Sequence, residues 1–374
     1  MLERFHVPEE DEIRVSPEKL RKTAEQIFVK CGMNEGNSKI ATDVLLSADI
    51  RGVDTHGVSN MLRNYVLYLS EGSAKANPDW KIIRETESCA TIDCDEGLGL
   101  VVAPQAMEIA IEKAKKTGVG LVSMGNGRHL GMAGYHAMMA LKHDMIGTCM
   151  TSSTTNVVPT YAAKAGLGTN PIAVAAPALN KAPFVFDAAT SAIATNKVRV
   201  AQRLGVPLAA GWITDEKGNP IMEETPLDIK EDPDKVDNLL QTPFGATREL
   251  GSHKGYSLGM VVDILGSILN GSLAGPLRTM KQHQNHFVAA YSIEAFTNIQ
   301  QFKEMMDEYL QALEDLPPVE GQERVLYAGL MEYETEEERR NIGIPLHPEV
   351  INWFKNICSE LDVDFDMTGR EGKV

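Results

Sequence analysis

With 374 residues, 43% of them apolar and 24% charged, the chain has the composition of a folded globular protein, built as one large domain or two to three smaller ones. That excludes collagen-like, low-complexity and disordered classes. Lys and Arg number 36 against 52 Asp and Glu, and the net charge of −16 repels a phosphate backbone. Nucleic acid is therefore not an expected partner, and an anionic ligand would need cations gathered at its own site.

The N-terminus, with Pro8-Glu9-Glu10-Asp11-Glu12 close behind Met1, lacks the basic and apolar regions of a signal peptide. The most apolar long stretch, residues 256–273, is broken by Asp263 and Asn270 and reads as a buried helix, so no membrane association is expected. Cys31, Cys89, Cys94, Cys149 and Cys358 are scattered, without a C-x-x-C pair, and read as reduced thiols of a cytoplasmic protein.

Ser16-Pro17-Glu18 is a cap, a first-turn proline and a first-turn acid. It predicts a helix carrying Leu20, Ala24, Ile27 and Phe28, stopped by Gly32. A second helix carries Ile40, Val44, Leu45 and Ala48, and a third runs from Met61 to its stop at Gly72. Short apolar runs between residues 80 and 95 predict strands. Helices at 101–116 and 131–143 then alternate with strands at 119–124, 146–151, 172–176 and 184–187. Such alternation predicts an α/β layered domain. An exposed acidic loop is expected at 223–237, then a helix at 253–270, a strand at 286–291 and helices at 299–313 and 348–361. Residues 332–338 read as acidic, solvated surface, and 368–374 as a frayed tail.

No G-x-G-x-x-G, P-loop or H-E-x-x-H is present, and the nearest glycine run, Gly125-Asn126-Gly127-Arg128-His129-Leu130, fails at its last position. His283 and His286 have no carboxylate beside them and read as a chance surface pair, so no metal site is expected. Five polar turns at element ends, four of them containing glycine, are the candidates for chemistry. The first, Arg51-Gly52-Val53-Asp54-Thr55-His56-Gly57, offers a histidine for proton transfer, with helix capping by Asp54 or Thr55 as the alternative. The second runs from Asn126 to His136 and holds Arg128 and His129 where a strand opens into a helix, with His136 read as structural. The third is Gly168-Thr169-Asn170-Pro171. The fourth, Phe186-Asp187-Ala188-Ala189-Thr190-Ser191, has an acid that can orient a histidine or cap a helix. The fifth, Ser252-His253-Lys254-Gly255-Tyr256, has a lysine suited to phosphate.

These stretches, in this order, resemble the malate/L-lactate dehydrogenase type-2 family, which includes L-sulfolactate, ureidoglycolate and diketogulonate oxidoreductases. The likeness spans about residue 16 to about residue 361. It implies an α/β, L-sulfolactate dehydrogenase-like fold with a non-Rossmann NAD(P)-binding domain, residues 79–319. A separate helical, dimerisation domain would be formed by residues 1–78 together with 320–374. It also implies a homodimer that uses NAD or NADP to move a hydride to or from C2 of a small 2-hydroxy or 2-oxo acid of malate, lactate or sulfolactate type. Within the resemblance, His56 and His129 are both candidates for the acid/base, and Asp187 would orient or stabilise the imidazolium. Cofactor contacts fall on Thr169 and Asn170, on Val185, Phe186, Asp187, Ala188, Ala189, Thr190 and Ser191, on His253 and Lys254, and on Ala328, Gly329 and Leu330.

Two departures stand out. Ala328 and Leu330 replace a proline and an acid common in the family. Asn60 stands four residues after His56, where many members have an arginine that would clamp a carboxylate as a fork. Arg51, Arg63 and Arg128 are the expected substitutes, with Thr55, Asn60 and Asn156 as further substrate contacts. Two rival functions remain at this level: a metal-dependent hydrolase using His56, Asp54 and Asp187, and a catalytically silent nucleotide-binding dimer.

Overall fold

Ser16 Oγ accepts the Lys19 N–H at 3.4 Å and Pro17 fills the first turn, which opens α1 (Pro17–Lys30) where the cap signal predicts it. Asn34 caps α2 (Glu35–Ile50) in the same way, its Oδ1 accepting from the Asn37 N–H at 2.8 Å. The third expected helix is two pieces, a π-helical turn over Val58–Leu62 and then α3 (Arg63–Ser70). The computed structural model describes residues 3–227, 239–278 and 283–367. Residues 228–237 of the expected acidic loop and the expected tail at 368–374 lie outside the described residues.

A seven-stranded sheet follows, in the order β2-β3-β4-β8-β5-β6-β7. Its strands are β2 (Lys81–Glu85), β3 (Cys89–Asp93), β4 (Val119–Gly127), β5 (Met145–Ser152), β6 (Ile172–Ala176), β7 (Phe184–Ala188) and β8 (Gln284–Ser292). Alternating strands and helices lead one to expect parallel crossovers. Here β8 lies between β4 and β5 and runs antiparallel to both, so that among the described strands only β3–β4 is a parallel pair. Helices α4 (Gly99–Thr117) and α5 (Ala133–Met138) cover one face, and α7 (Ser252–Gly266) covers the other. The pleat of β4 makes this division: Val122 and Met124 enter the core under α4, while Ser123 Oγ on the opposite face donates to Leu265 O at 3.2 Å.

Gly120 is needed where β4 meets α4, since a Cβ there would lie 1.8 Å from the Ala110 carbonyl oxygen. Among the described residues the remaining α-helices are α6 (Asn196–Leu204), α8 (Ile299–Glu314), α9 (Leu330–Ile342) and α10 (Pro348–Leu361). β1 (Ile13–Val15) pairs antiparallel with β9 (Ile344–Leu346), tying the two chain ends together. The helical core accordingly joins Leu20, Phe28, Leu45 and Tyr65 to Ile344 and Phe354, and it also takes in Leu98, Leu100 and Val101 around the start of α4.

Three expectations are corrected. The helix at 131–143 is one short α-helix and a 3-10 turn, Met139–His143, and that at 253–270 ends at Gly266. The acidic segment 332–338 lies in α9 with its residues exposed or half-buried, in keeping with solvated surface, while Leu330 and Arg339 of the same helix are buried. His286 is fully buried in β8, with Thr151 Oγ1 and the Arg128 carbonyl oxygen each 3.0 Å from its ring nitrogens, so it is no surface residue.

Candidate active site

The turn from Arg51 to Gly57 leaves α2 and is held from below. Both Asp49 carboxylate oxygens accept the Val58 N–H, at 2.9 and 3.1 Å. The cap of the following turn is therefore Asp49, and neither Asp54 nor Thr55 takes that role. Gly57 is required by this packing, since a Cβ would sit 2.0 Å from Asp49 Oδ1. Burial pushes the Asp49 carboxyl up to about 8 against the lowering effect of the Val58 N–H. Asp54 is gripped by buried Arg339 of α9 through two bonds of 2.5 and 3.2 Å.

This turn brings His56 against His129, which lies between β4 and α5. The two rings stack with centroids 5.8 Å apart and planes 19° from parallel. Both line a cleft of about 530 Å³, together with Asn64, Thr169, Asn156, Asn196 and Arg199. Burial lowers His56 to about 4; His129 falls to about 3, first from burial and then from its neighbours His56 and His286. The pair is therefore neutral at pH 7.

Their hydrogen bonds differ. His129 Nδ1 accepts the Gly131 N–H at 3.1 Å and meets Tyr65 Oη at 2.8 Å. An N–H cannot accept, so Nδ1 is the bare nitrogen and the ring's proton sits on Nε2. His56 Nδ1 meets Thr55 Oγ1 at 2.9 Å, and a hydroxyl can donate or accept.

The expected carboxylate clamps are placed elsewhere. Arg51 is buried and pairs with Glu336 at 2.9 Å, and Arg63 pairs with Glu349 through bonds of 2.9 and 3.2 Å. Buried Arg128 donates to Ser73 O at 2.6 Å and pairs with Glu96 at 3.3 Å. Asn60 is buried in structural bonds, donating to Asp54 O at 2.7 Å and accepting from Arg203 at 3.1 Å. None of these four lines the cleft. Asn156 does line it, and its Nδ2 donates to Thr195 Oγ1 at 2.7 Å. Asp187 also differs from expectation. Its Oδ2 accepts the Gly134 N–H at 2.6 Å at the start of α5, and no bond joins it to either cleft histidine. Desolvation of that carboxyl is the largest cause raising it to about 6.

Contacts link several of the residues expected around a cofactor. Thr190 Oγ1 donates to Thr169 O at 3.2 Å, and Thr169 lines the histidine cleft. Gly259 of α7 packs on Thr190, and His253 and Lys254 lie in the first turn of that helix. At the other end the Val185 N–H donates to Ala328 O at 3.0 Å, bringing the Ala328-Gly329-Leu330 turn against β7. Asn170 and Ser191 are turned inward. Asn170 is fully buried, its amide donating to Gly259 O and Asp263 Oδ1, and Ser191 donates to Ile193 O. Residues missed by sequence reasoning are Arg199, Asn64, Asn196 and Tyr65. In sequence they are ordinary members of amphipathic helices and carry no motif.

The chain matches the malate/L-lactate dehydrogenase family over residues 15–355. The chain belongs to the malate/L-lactate dehydrogenase family. A malate dehydrogenase of Pyrococcus abyssi is 38% identical over 97% of this chain and 99% of its own. The L-sulfolactate dehydrogenase of Methanocaldococcus jannaschii is 32% identical over 94% and 98%. The crystal structure of malate dehydrogenase from Entamoeba histolytica superposes with a TM-score of 0.88 at 32% identity, over 95% of this chain and 99% of the other. The protein is thus a 2-hydroxy acid oxidoreductase, and a dehydrogenase of this family implies a nicotinamide cofactor.

The dehydrogenase's own residues fit such a group. The Asn156 side-chain oxygen is buried in the cleft wall without a hydrogen-bond partner, an acceptor suited to an amide or hydroxyl donor of a ligand. The hydrolase alternative loses its donor set, since Asp54 is taken by Arg339 and Asp187 by Gly134. Among the described residues no group of three or more His, Cys, Asp or Glu side chains is arranged to hold a metal ion. No helix among them is long and apolar enough to cross a membrane.

Proposed function

We propose that this dehydrogenase interconverts a small 2-hydroxy acid and its 2-oxo acid with NAD or NADP in the cytoplasm, as a homodimer. The observation that carries the reading is the stacked His56–His129 pair in a cleft lined by Thr169, which Thr190 links to α7. The nicotinamide, when bound, accepts or supplies the hydride. Thr169, Val185–Thr190, His253, Lys254 and the 328–330 turn would hold it. Residues 1–78 with 320–374 act as the helical, dimer-forming part and 79–319 as the cofactor part.

The two histidines divide the work. His129, fixed with its proton on Nε2, donates a hydrogen bond to the substrate oxygen in the manner of an oxyanion-hole group. His56 carries the proton: neutral, it takes one from the hydroxyl of the 2-hydroxy acid, and protonated, it returns one to the 2-oxo acid oxygen. Thr55 Oγ1 follows by switching between donor and acceptor.

The test is NADH and NADPH absorbance against a panel of 2-oxo acids including oxaloacetate, pyruvate and sulfopyruvate. Turnover with at least one acid is expected; none with any acid, under either cofactor, refutes the reading. The outer side of α7 supports a dimer whose contact extends from the helical part onto the cofactor part. Leu258, Val261 and Ile264 repeat at helical spacing with 43–48% of their surface exposed, and Ile268 and Leu269 beyond the helix reach 58%. Light scattering is expected to give twice the chain mass, and Val261→Glu with Ile264→Glu to give the single-chain mass.

A further inference from the structure

We infer that the hydroxyl of Thr195, the residue before α6, donates a hydrogen bond to the carboxylate of the substrate. The inference rests on the 2-hydroxy acid reading above and names a group that recognises the acid. Thr195 lines the histidine cleft. Its Oγ1 accepts twice, from Asn156 Nδ2 at 2.7 Å and from Gln241 Nε2 at 2.8 Å. A hydroxyl has two lone pairs and one proton, so both acceptor positions are filled and only the O–H remains. Among the described residues none accepts that proton, and the Thr195 side chain makes no capping bond to α6.

Other hydroxyls of the cleft spend their protons on the protein. Thr155 Oγ1 donates to Gly275 O at 3.2 Å and Ser153 Oγ to Asn170 Oδ1 at 3.3 Å. Thr151 Oγ1 lies 3.0 Å from His286 Nδ1, and the other ring nitrogen faces the Arg128 carbonyl oxygen and holds the ring proton, so Thr151 donates as well. The two amides that fill the Thr195 lone pairs are themselves fixed. Gln241 is fully buried; its N–H donates to Asn156 O at 2.9 Å and its carbonyl accepts from the Val158 N–H at 2.9 Å. The next residue, Asn196, donates to Thr55 O at 2.8 Å, which sets Thr195 beside the turn that carries His56. Accepting two bonds polarises a hydroxyl and makes its O–H a better donor. What answers a lone donor is a group that only accepts, and the carboxylate of a 2-oxo acid is one, next to the reacting carbon. Held there, the acid turns its C2 oxygen toward the imidazoles.

The experiment compares a 2-oxo acid that the wild type reduces with the corresponding 2-oxo amide, the amide read as a substrate or as a competitive inhibitor of the acid. Thr195→Val is expected to weaken the acid by about 10- to 100-fold, chiefly in KM, and the amide by only about fivefold, because a bond to a charged acceptor is worth more than one to a neutral carbonyl. Thr195→Ser keeps the hydroxyl and is expected to stay within about threefold of wild type on both. Cofactor dissociation constants, read from nicotinamide fluorescence, are expected to match wild type in both variants. Valine also strips Asn156 and Gln241 of their acceptor, and a loss from that cause alone falls equally on acid and amide. A Thr195→Val enzyme that keeps the acid-over-amide ratio therefore overturns the inference, as does one whose cofactor affinity falls in step with activity. Thr195→Ala is read in the same way if the valine variant does not fold. A wild type that reduces no 2-oxo acid overturns the parent reading instead.

Discussion

Replacing His56 by alanine is expected to lower kcat for hydroxy acid oxidation by about 10²–10⁴-fold, the usual contribution of a positioned general base. Cofactor affinity should stay unchanged. The pH profile gives a sharper test. Burial holds His56 at about 4, below its ordinary 6.5, so the base form needed for oxidation persists down to that value. As pH falls from 7, kcat/KM for oxidation is expected to stay level past 6.5 and to drop only as it approaches 4. Reduction needs the protonated ring, which is scarce at pH 7, so its kcat/KM is expected to rise as pH falls over the same range. An acid limb of oxidation near 6.5, or a His56→Ala enzyme within threefold of wild type, removes His56 from the role. His129→Ala is expected to slow both directions without moving that limb, because its Nδ1 faces the Gly131 N–H and cannot cycle.

How far the site is legible in sequence follows from what each residue depends on. His56 and His129 sit in glycine-containing turns at element ends, and the chemistry of such turns is written locally. The cap Ser16-Pro17 and the alternating runs from 101 to 187 are local too, and they predict their elements well apart from the helix at 131–143, which is shorter. The sheet order is another matter. β8 is added some 130 residues after β5 and inserts beside it, a long-range pairing that no local pattern encodes. The arginines fail for the same reason. Arg51, Arg63 and Arg128 lie near the motifs in sequence, but Glu336, Glu349 and Glu96 reach them in space. Arg199 lies more than 140 residues beyond His56 in an unremarkable amphipathic stretch, yet α6 folds back onto the His56 turn. Charge near a motif is a poor guide until its partners are known.

The dependence on distant partners is strongest at Arg339, where replacement by methionine is expected to destabilise the protein by about 3–5 kcal/mol. Arg339 is buried in α9 and donates to both Asp54 oxygens and to Asp49 O, the last at 2.5 Å. Removing it leaves the half-buried Asp54 charge unpaired beside the buried Asp49 carboxyl. The same helix grips the His56 turn twice more. Arg51 pairs with Glu336, and Gly52, at φ +74°, packs so close to Thr335 that a Cβ would lie 2.9 Å from its Cγ2. The other end of α9 is fastened to the sheet through Ala328 O and Val185. Loss of Arg339 should therefore lower kcat as well as stability, because the turn that positions His56 loses its support. Urea unfolding and kcat/KM measured on Arg339→Met, Asp54→Asn and the double variant separate the two effects. The double variant removes both charges, so it is expected to be more stable than the sum of the single losses by more than about 1 kcal/mol. Additive losses, or an Arg339→Met protein within about 1 kcal/mol of wild type, would mean that α9 does not hold the turn through this pair.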